Sequence, residues 1–282
     1  MPELPEVETV SRGLATRLEG QRIVHVDVRR PDLRFPFTEG FADKLTGRRI
    51  ESFGRRGKYM AWALDDGAVV LGHLGMSGRF TLYDPGTAPD PGKHDHLVLQ
   101  ADNGVVAHYH DPRRFGFLFW LPDRDAFEAH PMIAPMGPEP LSNAFNADTL
   151  SAGLKGRKSS IKAALLDQKL VAGLGNIYVA EALYHAKISP RRIAHTVAGK
   201  RAERLAPAIV QVLRKAIESG GSSLRDFRQS DGELGYFQHN WAVYGREGEA
   251  CPDCDCDIAK TGGIKRIVQQ NRSTFFCSRR QR

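Results

Sequence analysis

Hydrophobic residues in the first 130 positions change from helical spacing to strand alternation. Val7, Val10, Leu14 and Leu18 recur every three or four positions, which predicts an amphipathic helix. Beyond them, apolar and polar residues alternate in short runs separated by turn residues, a pattern typical of half-buried strands. The predicted strands cover 24–28, 59–64, 68–74, 79–83, 97–101, 105–110 and 115–121. One helix followed by a β meander predicts a β-sandwich domain at 1–130.

The pattern returns to helical spacing after a segment rich in proline. Four prolines between 131 and 140 predict a stiff linker, which we place at 131–146. Helices are then predicted from Ile161, from the Gly-Leu-Gly turn at 173–175 with Asn176 as cap, and over about 199–219. The two remaining predicted domains are a helical domain at 147–240 and a tail at 241–282. The chain as a whole is therefore predicted to be α+β.

Composition narrows the class of protein. The chain has 282 residues, which is enough for two domains that each bury a core. Its 40 Lys and Arg residues exceed its 33 Asp and Glu residues, and the resulting charge of +7 suits a polyanionic partner. The start lacks the apolar region of a signal peptide, and the most apolar run, 115–121, is too short to cross a bilayer. All four cysteines follow position 250, which favours a local metal site in a reducing cytosol over a disulfide framework.

The start of the chain carries the most informative chemistry. Because Pro2 is small, we expect Met1 to be removed, which would leave Pro2 with a secondary amine that can attack an acetal carbon and form an iminium ion. At pH 7 roughly 300-fold more of an α-amino group than of a lysine amine is unprotonated. Glu3 and Glu6 follow at once and can move protons. Alternatively the segment simply begins a helix, a role that Pro5 and Glu6 satisfy without Pro2 or Glu3.

Several further segments allow either a structural or a functional interpretation. The segments 73–78 and 111–116 each place glycines and a large side chain at a strand end, where Met or Phe is usually core. Lys58 by itself is typical of a solvated basic turn, and His94 of a surface loop or a His-Asp-His metal cluster. The turn at 173–178 can bind a phosphate through backbone N–H groups and the start of a helix, although a plain capped turn explains it equally.

Taken in order, these motifs resemble those of the formamidopyrimidine-DNA glycosylases, bacterial base-excision enzymes that remove oxidised purines. The resemblance implies an N-terminal β-sandwich with a leading helix, then a helix–two-turn–helix domain with a zinc-finger-like β-hairpin. It also implies a glycosylase and AP lyase that acts on 8-oxoguanine and formamidopyrimidines in double-stranded DNA. In such an enzyme Pro2 forms a Schiff base with the damaged nucleotide, and β,δ-elimination follows.

The resemblance also assigns roles to individual residues. The implied catalytic residues are Pro2, Glu3, Lys58 and Arg272, the last near the tip of a predicted hairpin. The implied DNA-binding residues are Met76, His94, Arg113, Phe115, Arg157 and Asn176, with Lys158 and Lys162 adding charge nearby. Met76, Arg113 and Phe115 would fill the gap left by the everted nucleotide. The loop at 220–240, with Ser222, Arg225 and Tyr236, would cover the everted base.

The tail departs from the pattern of the family's zinc finger. Cys251 and Cys254 supply one Cys-x-x-Cys pair, but the second pair reads Cys277-Ser-Arg-Arg280, with Arg280 where a cysteine is expected. Cys256 restores the count to four thiols. One structural zinc is therefore expected. Its ligands would be these four cysteines, or three of them with an Asp or water. A finger that holds no metal is the remaining alternative.

The resemblance further implies a monomer in the bacterial cytoplasm, associated with the nucleoid, with no membrane partner and no small-molecule cofactor. Three alternatives remain open. An endonuclease VIII-like enzyme for oxidised pyrimidines is disfavoured by Leu4 and by the residues that fill the gap. A non-catalytic zinc-finger DNA-binding protein would not need Pro2, and a Pro-based tautomerase would not need phosphate-binding motifs.

Overall fold

The computed structural model describes residues 2–222, 236–255 and 257–282. The chain forms two compact units, each built from two separate stretches of sequence. The first contains Met1–Pro135 and Ile217–Gln238, and the second contains Met136–Ala216 and His239–Arg282. Each unit is described separately below.

The first unit opens with helix α1, Leu4–Leu18. The predicted apolar stripe is confirmed, because Val7, Val10, Leu14 and Leu18 are each no more than 3% exposed. Gly20 follows the helix with a φ of +80°, a conformation that glycine adopts without strain.

Two antiparallel four-stranded sheets follow, in the orders β1-β6-β7-β5 and β2-β3-β4-β8. The strands are β1 (Ile23–Val28), β2 (Ile50–Arg56), β3 (Tyr59–Leu64), β4 (Val69–His73), β5 (Arg79–Tyr83), β6 (Asp95–Ala101), β7 (Val106–His110) and β8 (Phe117–Leu121). One core combines α1 with residues from both sheets, such as Trp62 and Tyr109. The predicted β-sandwich is confirmed, but its order is not a simple meander, because β1 pairs with β6 and β4 with β8.

Two local predictions in this unit were wrong, and one strand was missed. Val24 was expected to face the core, but it is 46% exposed because a bulge between Ile23 and His25 shifts the register. Strand β2 was not predicted, since most of its residues are polar or exposed. Strand β8 begins at Phe117 instead of residue 115, which leaves Phe115 in the preceding turn.

Short helices complete both units. They are α2 (Phe41–Leu45) and α3 (Arg124–Ala129) in the first unit, and α4 (Ala147–Leu154), α5 (Ile161–Leu166), α6 (Asn176–His185) and α8 (Ile258–Thr261) in the second. The longest helix, α7 (Lys200–Glu218), matches the predicted span. Asn176 was predicted to cap α6, but Gly175 is the N-cap and Asn176 is the first helical residue. Its side chain is thereby available for other contacts.

The predicted hairpin near the end of the chain is confirmed. Strand β9 (Lys265–Gln269) pairs with β10 (Arg272–Phe276), and Arg272 lies opposite Gln269 at the tip. Gln270 and Asn271 form the turn with φ angles of +50° and +58°. Positive φ at both positions is the geometry of the tight turn that best matches strand twist.

Within the described ranges, no helix is both long and apolar enough to cross a membrane.

Candidate active site

Pro2 and Glu3 are buried at the start of the first unit. Glu3 is the N-cap of α1 and is only 3% exposed. Its backbone N–H donates to Glu6 Oε2 at 2.9 Å, and its own carboxyl group accepts from the Glu6 backbone in a reciprocal capping box. We expected Glu3 to be unnecessary for the start of the helix, and that expectation was wrong. The carboxyl group next to Pro2 is therefore held in a defined position.

Glu6 connects this start to a distant segment of the same unit. Its Oε1 accepts the backbone N–H of Ser222 at 2.8 Å, so both carboxyl oxygens are used. A Cβ atom on Gly221 would lie 3.3 Å from Glu6, and Gly221 has a φ of +79°. Sequence reasoning gave Glu6 proton transfer or a role at the start of the helix, but not this contact, because no periodic pattern links position 6 with position 222.

Two of the three residues expected to cover the everted base are described. Ser222 and Tyr236 form an isolated antiparallel bridge, and Tyr236 is 58% exposed. Arg225 lies outside the described residues.

Lys58 lies in the turn between β2 and β3 and is only 7% exposed. This burial excludes a solvated surface lysine. Burial first, and then the charges of Lys58 and Arg34, lower the pKa of His73 to about 4. The neutral His73 ring accepts the N–H of Gly75 at Nδ1, at 3.0 Å, and stacks on Phe117. Burial, assisted by the two positive charges, therefore keeps a neutral histidine beside the segment that carries Met76.

The segments that carry Met76 and Phe115 expose their large side chains. Met76 is 38% exposed and Phe115 is 43% exposed, so neither belongs to the core. The guanidinium carbon of Arg113 lies 4.8 Å from the centroid of the Phe115 ring, a cation–π contact. A Cβ atom on Gly75 would lie 2.3 Å from the carbonyl carbon of Phe115. The two segments therefore approach each other through their backbones, and a side chain at position 75 would separate them.

His94 lies half-buried at the edge of the same sandwich. Its ring centroid is 5.8 Å from that of His110, whose Nδ1 lies 2.8 Å from Asp95 Oδ1. Burial would raise the pKa of Asp95, but hydrogen bonds from His110 and Gly92 lower it overall. Among the described residues, these histidines do not form a group that could hold a metal ion.

In the second unit, Arg157 is engaged by its own fold. Its Nη1 donates to Asp167 Oδ2 at 2.9 Å and its Nε donates to the Gly153 carbonyl at 2.9 Å. Burial would raise the pKa of Asp167, but the hydrogen bond from Arg157 lowers it overall. This ion pair joins the end of α4 to the segment after α5.

Lys162 and Asn176 both contact the hairpin at the residues that directly follow Arg272. Lys162 is 1% exposed, and its Nζ donates to the Ser273 carbonyl at 2.9 Å and to Thr274 Oγ1 at 2.5 Å. We expected Lys162 to add surface charge, and that expectation was wrong, because the ammonium group is buried against the hairpin. Asn176 Nδ2 donates to the same Ser273 carbonyl at 3.0 Å. Arg272 itself is exposed at the tip.

Three of the four cysteines come together. The sulfur atoms of Cys251, Cys254 and Cys277 all lie within 4.8 Å of one another. In tetrahedral zinc sites, sulfurs at 2.3 Å from the metal lie about 3.8 Å apart, so this cluster fits the ion. Cys256 lies outside the described residues.

Arg280 occupies the position where a fourth cysteine was expected. Its Nη2 lies 3.1 Å from Asp253 Oδ2, and its guanidinium carbon is 4.8 Å from the Tyr184 ring centroid. Its backbone N–H donates to Cys277 Sγ at 3.4 Å. An ion pair thus connects the two ends of the cysteine cluster.

Comparisons with known proteins agree on one family. A family model described as the formamidopyrimidine-DNA glycosylase N-terminal domain matches residues 1–118, and one described as its H2TH domain matches residues 136–228. A relative named formamidopyrimidine-DNA glycosylase from Rhodospirillum centenum is 58% identical over 292 residues, with both chains fully covered. One of the same name from Rhodospirillum rubrum is 55% identical over 282 residues, again with both chains fully covered.

Solved structures give the same result. The MutM (Fpg) protein from Thermus thermophilus has a TM-score of 0.85 at 41% identity, covering 99% of this chain and 98% of that one. Lactococcus lactis Fpg in complex with DNA containing N7-benzyl-Fapy-dG has a TM-score of 0.87 at 36% identity, covering 99% of each chain.

Proposed function

Because this chain belongs to the formamidopyrimidine-DNA glycosylase family, we propose that it excises oxidised purines from double-stranded DNA and then cleaves the strand as an AP lyase. Its substrates are 8-oxoguanine and formamidopyrimidines. The observation that carries this proposal is the start of the first unit, where the buried Pro2 directly precedes a carboxyl group fixed by the capping box of α1.

The first chemical step is attack by the Pro2 amine on C1′ of the damaged nucleotide. A bond forms between the proline nitrogen and C1′, and the bond from C1′ to the base breaks, so that the base leaves. Glu3 delivers a proton to the sugar oxygen or to the departing base. The proline nitrogen then loses its proton and the C1′–O4′ bond breaks as O4′ is protonated, which opens the sugar and leaves an iminium ion between that nitrogen and C1′.

The second stage removes both phosphates. The iminium withdraws electrons from C2′, so a proton is lost there and the 3′ phosphate departs by β-elimination. A second proton loss expels the 5′ phosphate by δ-elimination. Lys58 contributes a positive charge for a phosphate beside the opened sugar, and Arg272 supplies another from the hairpin. Base release and strand cleavage need no water nucleophile, but water must then hydrolyse the remaining iminium to free the Pro2 amine for another turnover.

The remaining predicted residues are proposed to hold distorted DNA. Met76 and Phe115, both exposed, enter the stack where the damaged nucleotide leaves it, and Arg113 faces the opposite base. His94, Arg157 and Asn176 contact the phosphate backbone of the DNA. For Arg157 and Asn176 this contact must coexist with the internal hydrogen bonds that each side chain already makes.

We infer that the cysteine cluster holds one structural zinc ion. Cys251, Cys254 and Cys277 would be three of its ligands, and Cys256 or a non-cysteine group would be the fourth. The metal supplies no chemistry to the reaction; it stabilises the segment that carries the hairpin. The protein is proposed to act as a monomer on the bacterial chromosome.

Borohydride trapping tests the proposed function. The protein is incubated with a duplex that contains 8-oxoguanine opposite cytosine, and the reduced cross-link is mapped by mass. We expect the DNA to be attached at Pro2. A matched control carries one extra residue before Pro2, which should abolish trapping and base release while leaving binding to an abasic analogue within about threefold. Full excision by the extended protein would contradict the proposal.

A further inference from the structure

We propose that Asp111 is a positioning residue that fixes three DNA-facing segments of the first unit relative to one another. These segments carry His94, Met76 and the pair Arg113 and Phe115. The inference rests on the proposed function, because it assumes that these side chains enter or contact the DNA.

The backbone of Asp111 fixes the first of these segments. Its N–H donates to the His94 carbonyl at 3.0 Å. Its carbonyl oxygen accepts from His96 Nε2 at 2.9 Å, and His96 is 3% exposed. The start of β6 is thereby attached to the residue that directly follows β7.

The side chain of Asp111 joins the other two segments. Oδ1 accepts the hydroxyl of Ser77 at 2.6 Å, directly after Met76, and Oδ2 accepts the N–H of Gly116 at 2.8 Å, directly after Phe115. The Arg113 N–H also approaches Ser77 Oγ, at 3.3 Å. Asp111 itself is 0% exposed, so water does not compete for these contacts.

Two glycines in these segments pack closely against Tyr109. A Cβ atom on Gly116 would lie 1.9 Å from the Tyr109 hydroxyl, and one on Gly78 would lie 2.4 Å from it. Tyr109 is buried in the core, so it cannot move aside. The residues that flank Met76 and Phe115 are therefore held both by hydrogen bonds to Asp111 and by contact with Tyr109.

This arrangement has a consequence for catalysis. Met76 and Phe115 must enter the stack together, because a nucleotide that leaves is replaced by both side chains at once. If the two segments moved independently, each encounter with DNA would first have to order them, and their entry into the stack would be slower. A carboxyl group suits the junction because each oxygen accepts one of two donors, whereas an amide has one acceptor oxygen and could keep the contact with the Gly116 N–H only by reversing the hydrogen bond with the Ser77 hydroxyl.

The test compares Asp111→Asn with Ser77→Ala, which removes the two contacts of the Ser77 hydroxyl but keeps the contact of Asp111 Oδ2 with the Gly116 N–H. Single-turnover excision of 8-oxoguanine should slow by about 10- to 100-fold in Asp111→Asn and by less in Ser77→Ala. Cleavage of a preformed abasic site should fall by less than about threefold in both, since less unstacking is required. Fluorescence of 2-aminopurine beside the lesion should rise more slowly in both variants, by the factor seen in excision.

Two controls make the outcome decisive. Asp102→Asn changes an exposed aspartate at the opposite end of β6 and β7 and should leave every rate unchanged. The double variant that combines Asp111→Asn with Ser77→Ala should excise 8-oxoguanine no more slowly than Asp111→Asn alone, because both changes break the same junction. Equal losses on lesion and abasic DNA, or unchanged 2-aminopurine kinetics, would overturn the inference. If the wild-type protein itself fails to trap on 8-oxoguanine, the proposed function is what has failed.

Discussion

At the scale of single residues, Glu6 shows how one side chain can join distant parts of a unit. Its two carboxyl oxygens accept backbone N–H groups from Glu3 and Ser222, and it is 2% exposed. Position 6 thereby influences both the carboxyl group beside the nucleophile and the beginning of the loop proposed to cover the base.

We predict that Glu6→Gln destabilises the protein and slows excision. A glutamine has one acceptor oxygen, so one buried N–H loses its partner, at a cost of about 1–3 kcal/mol in the free energy of unfolding. Denaturant unfolding and single-turnover excision measure the two effects. Glu19→Gln, at an exposed position after the same helix, should change neither. If Glu6→Gln has the free energy of unfolding and the excision rate of the wild type, the two contacts contribute nothing to stability or to excision.

A pH dependence follows from His73. Its pKa is lowered to about 4, so the folded protein keeps the ring neutral while the unfolded chain binds a proton near pH 6.5. Stability should therefore fall as pH decreases from about 6.5 to about 4, by at most about 1.4 kcal/mol per pH unit from this residue. His73→Phe keeps the ring against Phe117 but removes the titration. Its free energy of unfolding should depend less on pH across this window, and equal slopes for both proteins would contradict the assignment.

At the scale of elements, the hairpin of β9 and β10 presents one exposed arginine from a rigid turn. Arg272→Ala should weaken binding to all DNA sequences alike and reduce the slope of log affinity against log salt by about one. Binding titrations at several salt concentrations provide the measurement. Lys260→Ala removes an equal charge from the short helix α8, where the side chain is 85% exposed, and should reduce the slope less. An unchanged slope for Arg272→Ala would exclude a phosphate contact.

The cysteine cluster gives the second prediction at this scale. Protein purified without chelator should contain one zinc per chain, and Arg280→Cys should hold it more tightly in competition with a chelator, because a fourth thiol replaces the Asp253–Arg280 ion pair. Cys256→Ser distinguishes the ligand sets: loss of metal identifies Cys256 as the fourth ligand, and retention identifies a three-cysteine site. Metal-free protein from such a preparation would contradict the zinc proposal.

At the scale of the whole molecule, each unit needs sequence from both halves of the chain. A fragment that ends at Pro135 lacks Ile217–Gln238, which belongs to the same unit. Glu6 then has no Ser222 N–H to accept. We predict that this fragment unfolds at a lower temperature than one in which residues 217–238 are joined to it by a flexible linker. Identical melting temperatures would show that the returning segment does not stabilise the unit.

The same scale separates what the sequence could and could not predict. The stripe of α1, the strands β3 and β4 and the tip at Arg272 depend on neighbours within a few positions, and all were predicted. The pairing of β1 with β6, the contact of Glu6 with Ser222 and the burial of Lys162 depend on partners far away in the chain. Periodicity carries no information about such partners, so these features required the structure.

The contact at Ser273 has a consequence for how this protein can vary. Lys162 and Asn176 hold the hairpin through the carbonyl oxygen of that residue, and every amino acid has such an oxygen. A library that randomises position 273 should therefore keep most of its members able to repair damaged DNA, whereas libraries at 162 and 176 should keep few. Substitution can change the side chain at 273, because the two donors bind its backbone oxygen, but it cannot change the two side chains that donate.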